Sequence, residues 1–597
     1  MEHTQVRSAG WRMTPGGRAR ALTGASGAVM LVAVLAALLV LPVAAVVYGS
    51  FRTGSPSAAD TQWTLDHYRE FWPVVLRSGV LLNSIVLAAC CTPLSLLVGG
   101  ALAFVRERTD LPIRSAITPL IAVGLAVLPT VRAMGWSLTA DPDTGIVNAV
   151  ARRLTGDPDL VVVDITGLAG VILLVSLAGS QICYFRFVGS FSRLGSDLTE
   201  ASRATGAGRW RTLVRITVPL VWPIVGFVAV VSFVVDLQVF TEPYILGSEP
   251  RFLMTAVVDS IRNTSPPDYG FAGVLGVLTI GIALVLGTFQ ARLAHGRDHT
   301  TVRGRVESAR PIGIRRGRAA ITSAVVGYFA LAVAIPILST TLASFTVAPG
   351  DLARYSTAAY QRAFGFTSLA SAAQNSAGIA VFGGLAAVAI ALVVAVVRIR
   401  TRIPGLGAIL GVVFLIAFGM PGVVQALGMT WAYTSIPGLG ALYGTNALAL
   451  IALIAVALPV LSQLLHGALG QVSADFEHAA VVAGTPRALA FVRFTIPLLL
   501  PTLLSGWFIA ALVMFGNLEI PLLLGAPGHP LFMQLVSTMF ATGDRSAAAA
   551  LTVLFLLVVA AVGAVGLLLL RALRRGARVR ATAERHAVAR SLEDSFA

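Results

Sequence analysis

The stretch AVMLVAVLAALLVLPVAAVV, from Ala28 to Val47, contains no charged residue. About 20 apolar residues in a helix suffice to cross the roughly 30 Å hydrocarbon layer of a bilayer. The chain of 597 residues is 56% hydrophobic and only 12% charged, and its apolar residues come in long unbroken runs of this kind. Barrel strands would instead alternate over about ten residues. We therefore predict an all-α membrane protein.

The apolar runs predict about twelve membrane-spanning helices. Their approximate bounds are 27–49, 78–105, 115–138, 166–188, 214–236, 271–292, 320–343, 372–397, 406–432, 446–468, 495–516 and 549–571. Arginines cluster within 7–20, 106–114, 193–215, 292–318, 398–402 and 571–590. All six clusters lie on one side of the membrane if the N-terminus is cytoplasmic. Because positive loops stay in the cytoplasm, we predict that both termini are cytoplasmic.

Matching sequence segments indicate that the chain contains an internal repeat. LNSIVLA from Leu82 resembles QNSAGIA from Gln374, and FVRERTDLP from Phe104 resembles VVRIRTRIP from Val396. Pairs 292 positions apart are Asn83 with Asn375, Arg106 with Arg398, Pro112 with Pro404, and Pro129 with Pro421. Pairs 278 positions apart are Gly206 with Gly484, Pro219 with Pro497, Pro243 with Pro521, and Gly247 with Gly525. The sequence therefore predicts two tandem six-helix repeats.

Six spans per repeat give both copies the same orientation. We expect them to pack about a pseudo-twofold axis along the membrane normal, with a pathway between them. The alternative is two bundles side by side with no shared pathway. The predicted domains are a cytoplasmic N-terminal segment 1–26, a first transmembrane domain 27–292, an arginine-rich cytoplasmic linker 293–319, a second transmembrane domain 320–572 and a cytoplasmic tail 573–597.

The composition argues against several functions. The net charge of +16 comes from arginines at the ends of apolar runs, which suits membrane anchoring better than nucleic-acid binding. All 44 basic residues are arginine, so the lysine of a Walker A phosphate loop is absent. The three cysteines Cys90, Cys91 and Cys183 lie in apolar runs and lack zinc-site spacing. We predict no catalytic residue, cofactor site or metal site.

Each half has a loop after its fourth span, and these two loops share a sequence pattern. They read DLTEASRATGAGRWRTLVRITVPLVWP from Asp197 and DFEHAAVVAGTPRALAFVRFTIPLLLP from Asp475. Each pattern predicts a short amphipathic helix, a glycine that permits a sharp turn, a second helix and a proline that opens the next span. A short helix projecting into the cytoplasm suits the transmission of motion between proteins.

These loops resemble the E-A-A-x-x-x-G-x(9)-I-x-L-P motif of binding-protein-dependent ABC importer permeases. In that family the loop inserts into a cleft on a separate ATP-hydrolysing subunit. The matching residues of the first copy are Glu200, Ala201, Gly206 and Pro219. Those of the second copy are Ala479, Ala480, Gly484 and Pro497, with His478 at the glutamate position and Glu477 one residue earlier.

The resemblance extends over nearly the whole chain. ERTDLPIRSAITPLIAVGLAVLPTVRAMGW from Glu107, together with TEPYILG and EIPLLLG, looks like double-length ferric-iron permeases. It implies a multi-pass protein of the bacterial plasma membrane, without an ATPase site of its own. The implied partners are ABC ATPase subunits, in two copies, and an extracytoplasmic solute-binding protein. Related systems move thiamine, phosphonates, polyamines or sugars, so the resemblance identifies the machine better than its cargo.

Polar residues within or beside the spans are candidates for the translocation pathway, because such residues are costly in a bilayer. They are Arg132, Asp236, Gln238, Gln425, Asn517 and Glu519. Arg132 lies next to Pro129, a predicted helix break, and its counterpart in the repeat is Val424. The alternatives are that Arg132 pairs with Asp236 and that Glu242 sits at the outer water interface.

The sequence therefore predicts the permease subunit of an ATP-driven importer, with ferric iron or a similar small solute as cargo. The competing hypothesis is an ion-gradient-driven secondary transporter with twelve spans. That hypothesis requires buried ionisable residues near mid-span for coupling, and it gives no reason for the doubled loop.

Overall fold

A computed structural model of the chain describes residues 26–58, 61–193, 211, 215, 218–249, 251–295, 313–314, 317–351, 354–401, 403–568 and 571. Within that part of the chain the regular elements are helices, apart from isolated β-bridges. The helices up to residue 295, called the first half, are α1 Ser26–Gly49, α2 Asp66–Ser78, α3 Val80–Arg108, α4 Arg114–Ala126, α5 Pro129–Ala140, α6 Ile146–Thr155, α7 Leu168–Arg193, α8 Val218–Leu237, α9 Thr241–Leu246, α10 Leu253–Arg262 and α11 Tyr269–His295.

The helices from residue 318 onward form the second half. They are α12 Arg318–Ser344, α13 Ala358–Gly365, α14 Leu369–Arg400, α15 Leu406–Phe418, α16 Gly422–Ser435, α17 Asn446–Gly470, α18 Asp475–Val482, α19 Arg487–Gly516, α20 Glu519–Leu524, α21 Phe532–Ala541 and α22 Arg545–Leu568. Runs of apolar residues form helices in a bilayer because a helix satisfies its own backbone N–H and C=O groups.

Ten of the described helices are long and apolar enough to cross a membrane, or up to twelve spans if each of two bent pairs is counted once. The prediction of an all-α membrane protein with about twelve spans is confirmed. The third and ninth spans are not single helices: α4 and α5 meet at 89°, and α15 and α16 meet at 107°. The breaks lie at Pro129 and Pro421, which begin or directly precede the second helix of each pair.

The first helix of the second half packs on the bent span of the first half. In α12, the Ser339 hydroxyl donates a hydrogen bond to the Gly135 carbonyl of α5 at 2.7 Å. The indole N–H of Trp136 donates in return to the Leu331 carbonyl at 3.2 Å. These bonds cross between the halves, and the first of them is buried, where a backbone carbonyl gains most from a donor.

The first helix of the first half makes the corresponding contact with the second half. Gln425 of α16 donates from Nε2 to the Leu38 carbonyl of α1 at 3.2 Å. The rings of Tyr48 and Trp431 meet edge to face, with centroids 6.1 Å apart. Both hydrophobic cores accordingly mix residues of the two halves. The predicted domains 27–292 and 320–572 are thus interlocked, since each contributes its first helix to the other's packing.

Ion pairs also join the halves, beyond the ends of the spans. Arg545 lies 3.1 Å from Asp141, and Arg153 lies 3.1 Å from Asp351. Burial alone would raise the pKa of Asp141, but the Thr144 backbone N–H and the Arg545 guanidinium hold that pKa below its usual value. The carboxylate of Asp141 is therefore charged, and it ties the end of α5 to the start of α22.

Candidate functional site

We call the two loops that begin at Asp197 and Asp475 the first and second docking loops. The second docking loop begins with a short helix, α18, which its own sequence stabilises. The Ser473 hydroxyl donates to the Asp475 carboxylate at 2.6 Å, and the Asp475 N–H donates back to that hydroxyl at 3.2 Å. Asp475 and Glu477 lie in the first turn of α18, where negative charge favours the helix dipole. The helix is followed by Gly484 at φ +91°, a conformation that favours glycine. This is the sharp turn that the sequence pattern predicts at Gly484.

Glu477 anchors this loop to the ends of neighbouring helices. Its Oε1 atom accepts a hydrogen bond from Thr495 at 2.6 Å and another from Arg400 Nη2 at 3.2 Å. The same guanidinium nitrogen donates to the Val472 carbonyl at 3.1 Å. The ion pair is partly buried, with 18–19% of each side chain exposed. The Glu477 carboxylate is thus bound within the chain and holds the start of α18 against the end of α14.

The outer face of the loop is apolar and exposed. Phe476 is 59% exposed and Val482 is 89% exposed. His478 and Ala479 are also exposed, whereas Ala480 is buried against the rest of the chain. Exposed apolar clusters on a protein surface mark contacts with other molecules. The helix α18 therefore exposes an apolar surface formed by Phe476 and Val482, which we call the apolar knob. The ion pair between Glu477 and Arg400 holds the start of the helix in place.

The other predicted coupling residues divide between two locations. Pro497 is the second residue of the α-helical segment Ile496–Gly516 within α19. Pro219 is the second residue of α8. Pro497 therefore lies inside α19, just after the π-helical turn Phe491–Thr495. Glu200, Ala201 and Gly206 lie outside the described residues.

A second group of polar side chains meets at the breaks of the bent spans. Arg132, 3% exposed, donates from Nη2 to the Val127 carbonyl at 3.2 Å, which satisfies a carbonyl freed by the break before α5. Glu242 of α9 is 6% exposed, and α9 packs against α5. Glu242 is therefore buried within the chain.

The second half arranges its acidic residue differently. The Glu519 carboxyl group lies against the backbone at the start of α16. It packs so closely there that a Cβ at Gly422 would overlap it. Asn517 accepts a hydrogen bond from the Ile520 N–H at 2.9 Å and so begins α20. Glu519 thus occupies the N-terminus of the helix after the break.

Three further predicted pathway residues are bound within the chain. Gln238 donates to the Phe418 carbonyl at 3.5 Å, next to the break between α15 and α16. Gln425 bonds to Leu38, as described above. Asp236, 3% exposed, accepts a hydrogen bond from the Thr92 hydroxyl at 2.9 Å, between α8 and α3. Its hydrogen-bond partner is therefore Thr92 and not Arg132, which bonds to Val127.

The structure also brings in residues that the sequence did not single out. Thr130 lies two positions before Arg132 in the first turn of α5, and Thr495 and Arg400 hold Glu477 in place. Arg400 was recognisable only as a member of a cytoplasmic arginine cluster. Thr495 precedes the predicted proline by two positions, but nothing in its type or spacing indicates a bond to Glu477. Among the described residues, no group of three or more His, Cys, Asp or Glu side chains could hold a metal ion.

Residues 92–297 match the family model described as the inner membrane component of binding-protein-dependent transport systems. This part of the chain is similar to that permease family. The matched segment runs from the middle of α3 to just past the end of α11, so it includes the first docking loop and the first bent span. The resemblance to ABC importer permeases is thereby confirmed, as is the location in the plasma membrane.

The chain is also similar to several curated proteins. It is 24% identical over 345 residues to a putative ferric transport system permease of Haemophilus influenzae, an alignment covering 57% of this chain and 54% of the relative. It is 24% identical over 276 residues to a diacetylchitobiose uptake system permease of Streptomyces coelicolor, covering 45% and 85%. It is 23% identical over 207 residues to a molybdate/tungstate permease of Thermococcus kodakarensis, covering 35% and 74%. The chain thus spans about half the length of the ferric permease that it matches.

Proposed function

We propose that this chain forms the translocation pathway of an ATP-driven importer, with both termini in the cytoplasm. ATP is hydrolysed by a separate partner, present in two copies, and an extracytoplasmic binding protein delivers the cargo. One copy of the partner binds α18 and the other binds the loop around Glu200. Residues 320–572 act as the second permease domain.

The observation that carries this proposal is the projecting apolar face of α18. An interhelical loop without a binding partner would gain no stability from exposing Phe476 and Val482. Here these side chains are exposed while Glu477, Arg400 and Thr495 fix the start of the helix. That combination suits a rigid element that transmits force when a partner moves it. The interlocked packing of α1 and α12 supports the same view, because a pull on one half is passed to the other through packed helices.

As cargo we propose ferric iron, supported by the similarity to ferric transport permeases. Similarity to permeases for diacetylchitobiose and for molybdate or tungstate makes a sugar and an oxyanion the other cargoes to test. Because cargo choice rests largely on the binding protein, the three must be compared in the same vesicles.

The test is uptake into proteoliposomes that contain the full chain co-purified with its partners from native membranes. Iron(III), molybdate and diacetylchitobiose are offered outside, with ATP inside. We expect uptake of one cargo that depends on ATP and is lost in Val482→Glu, because a charge at the apolar knob blocks docking. The matched control is Leu154→Glu, at a residue 82% exposed on α6. Uptake that continues without ATP would favour the gradient-driven transporter.

A further inference from the structure

The break before α5 leaves polar groups buried without partners. Thr130 is 1% exposed and Arg132 is 3% exposed. Within the described part of the chain, the Thr130 hydroxyl and the Nε and Nη1 atoms of Arg132 have no hydrogen-bond partner. Leaving such donors unpaired in a buried site is costly, and more so for a charged group than for a neutral one. These three donors therefore point to a ligand that accepts hydrogen bonds and carries negative charge.

The same donors stand at the start of a helix. The helix α5 has 12 residues, and Thr130 and Arg132 lie in its first turn. The N-terminus of a helix carries a partial positive charge and attracts anions. A guanidinium also matches the geometry of carboxylate, phosphate and similar oxyanions. Helix, hydroxyl and guanidinium thus favour the same class of ligand.

The second half shows what fills the equivalent position there. The start of α16 is occupied by the chain's own Glu519 carboxyl group, which fills the space beside Gly422. The counterpart of Arg132 in the repeat is Val424, which offers no charge. In the first half, the buried Glu242 belongs to α9, which packs against α5. No carboxylate oxygen in the described residues lies within 4 Å of the Arg132 guanidinium, however.

This position also lies where the halves meet. The Leu128 side chain, at the break, occupies the space that a Cβ on Gly516 of α19 would need. A pathway between parallel repeats runs along such a boundary.

We propose that Thr130, Arg132 and the N-terminus of α5 form an anion-binding site in the translocation pathway, which accepts an oxyanion or carboxylate group of the cargo. The inference rests on the proposed function, since it assigns a substrate class to that pathway. Glu242 supplies the negative charge near Arg132 when no cargo is bound, and the cargo anion replaces it during passage. The anion has two possible sources: a free oxyanion, or iron(III) that travels with oxyanion or carboxylate ligands.

The test is direct binding to the full-length chain in lipid nanodiscs without nucleotide. The probes are radiolabelled molybdate, orthophosphate and iron(III) citrate. We expect the wild type to bind at least one probe, Arg132→Gln to weaken that binding tenfold or more, and Arg132→Lys to weaken it less. Glu242→Gln should tighten binding severalfold, because it removes the competing charge. Arg186→Gln, at another arginine of the first half, is the control and should bind as the wild type does.

The outcomes separate the sources and the hypotheses. Binding of molybdate or orthophosphate alone indicates a free oxyanion, whereas binding that requires iron(III) indicates an iron complex. If folded wild-type protein binds none of the probes, or if Arg132→Gln binds them unchanged, the anion site is refuted. ATP-driven uptake of a neutral sugar by such a protein would refute the site and leave the proposed function standing. Anion binding without any ATP-driven uptake would do the reverse.

Discussion

Gly135 of α5 faces the backbone of Pro336 in α12 so closely that a Cβ at Gly135 would overlap the proline carbonyl oxygen. In the equivalent contact of the repeat, a Cβ at Gly428 of α16 would overlap the carbonyl oxygen of Pro42 in α1. In each case the proline belongs to the first helix of one half and the glycine to the bent span of the other. The two contacts lock the halves together at equivalent places.

Replacing either glycine by alanine should therefore loosen the assembly. We expect Gly135→Ala and Gly428→Ala each to cost about 1–3 kcal/mol, as overpacking in a well-packed core does. Gly281→Ala in α11 is the matched control, since a Cβ there meets no atom within 4 Å. The measurement is thermal unfolding followed with a thiol-reactive dye, which reports exposure of the buried Cys91 and Cys183. Equal melting temperatures for all three variants would contradict the locking role.

The anchor of the docking loop makes a second prediction. Glu477→Gln keeps the shape of the side chain but weakens its bonds to Arg400 and Thr495, so α18 should lose its fixed orientation. We expect ATP-driven uptake to fall severalfold while ATP hydrolysis persists, which is the signature of uncoupling. Arg400→Gln should give the same result. If the two activities fall in proportion, Glu477 acts in docking and not in transmission.

The two docking loops should respond differently to loss of their polar residue. Glu200 holds the glutamate position of the family motif, whereas His478 replaces that glutamate in the second copy. We expect Glu200→Ala to weaken coupling between ATP hydrolysis and uptake more than His478→Ala does. The comparison requires both variants in the same vesicles at equal expression. Equal or reversed effects would show that the two loops are not asymmetric in this way.

The ion pair between Asp141 and Arg545 predicts a pH dependence. The folded chain holds the pKa of Asp141 below its usual value of 3.8, so this carboxylate stabilises the fold above that pH. Its contribution is lost as the pH falls through the lower folded pKa. We expect Asp141→Asn to reduce stability by about 1 kcal/mol between pH 5 and 8. The difference in melting temperature should shrink below pH 3.8, and a difference that grows there would contradict this account.

Asp236 gives a prediction about what does not line the pathway. Its carboxylate is bound to Thr92 between α3 and α8 of one half. Asp236→Asn can keep a hydrogen bond to that hydroxyl, so we expect uptake to remain within about twofold of the wild type at equal expression. Arg132→Gln, at the boundary between the halves, should reduce uptake far more. Loss of uptake in Asp236→Asn with unchanged stability would place Asp236 in the pathway.

Much of this architecture could be predicted from the sequence because hydrophobic length and helix-breaking prolines are local signals. The run from Ala28 to Val47 and the break at Pro129 needed no knowledge of distant residues. The exchange of first helices could not be predicted, because Pro42 and Gly428 carry no mark of their contact across 386 positions. Asp236, Gln425 and Arg132 looked alike as polar residues in spans. Only their hydrogen-bond partners distinguish structural residues from a candidate site. Asp236 bonds to Thr92 and Gln425 bonds to Leu38, whereas two guanidinium nitrogens of Arg132 have no partner among the described residues.

The central claim is that α18 docks on a separate ATP-hydrolysing subunit. The most direct test places a photo-crosslinking amino acid at Val482 of the full chain in native membranes, with Leu154 as the control position. We predict that Val482 crosslinks to one polypeptide whose sequence contains a Walker A loop, and that the yield changes when ATP is added. Crosslinks to lipid alone, or the same products from Val482 and Leu154, would contradict the account.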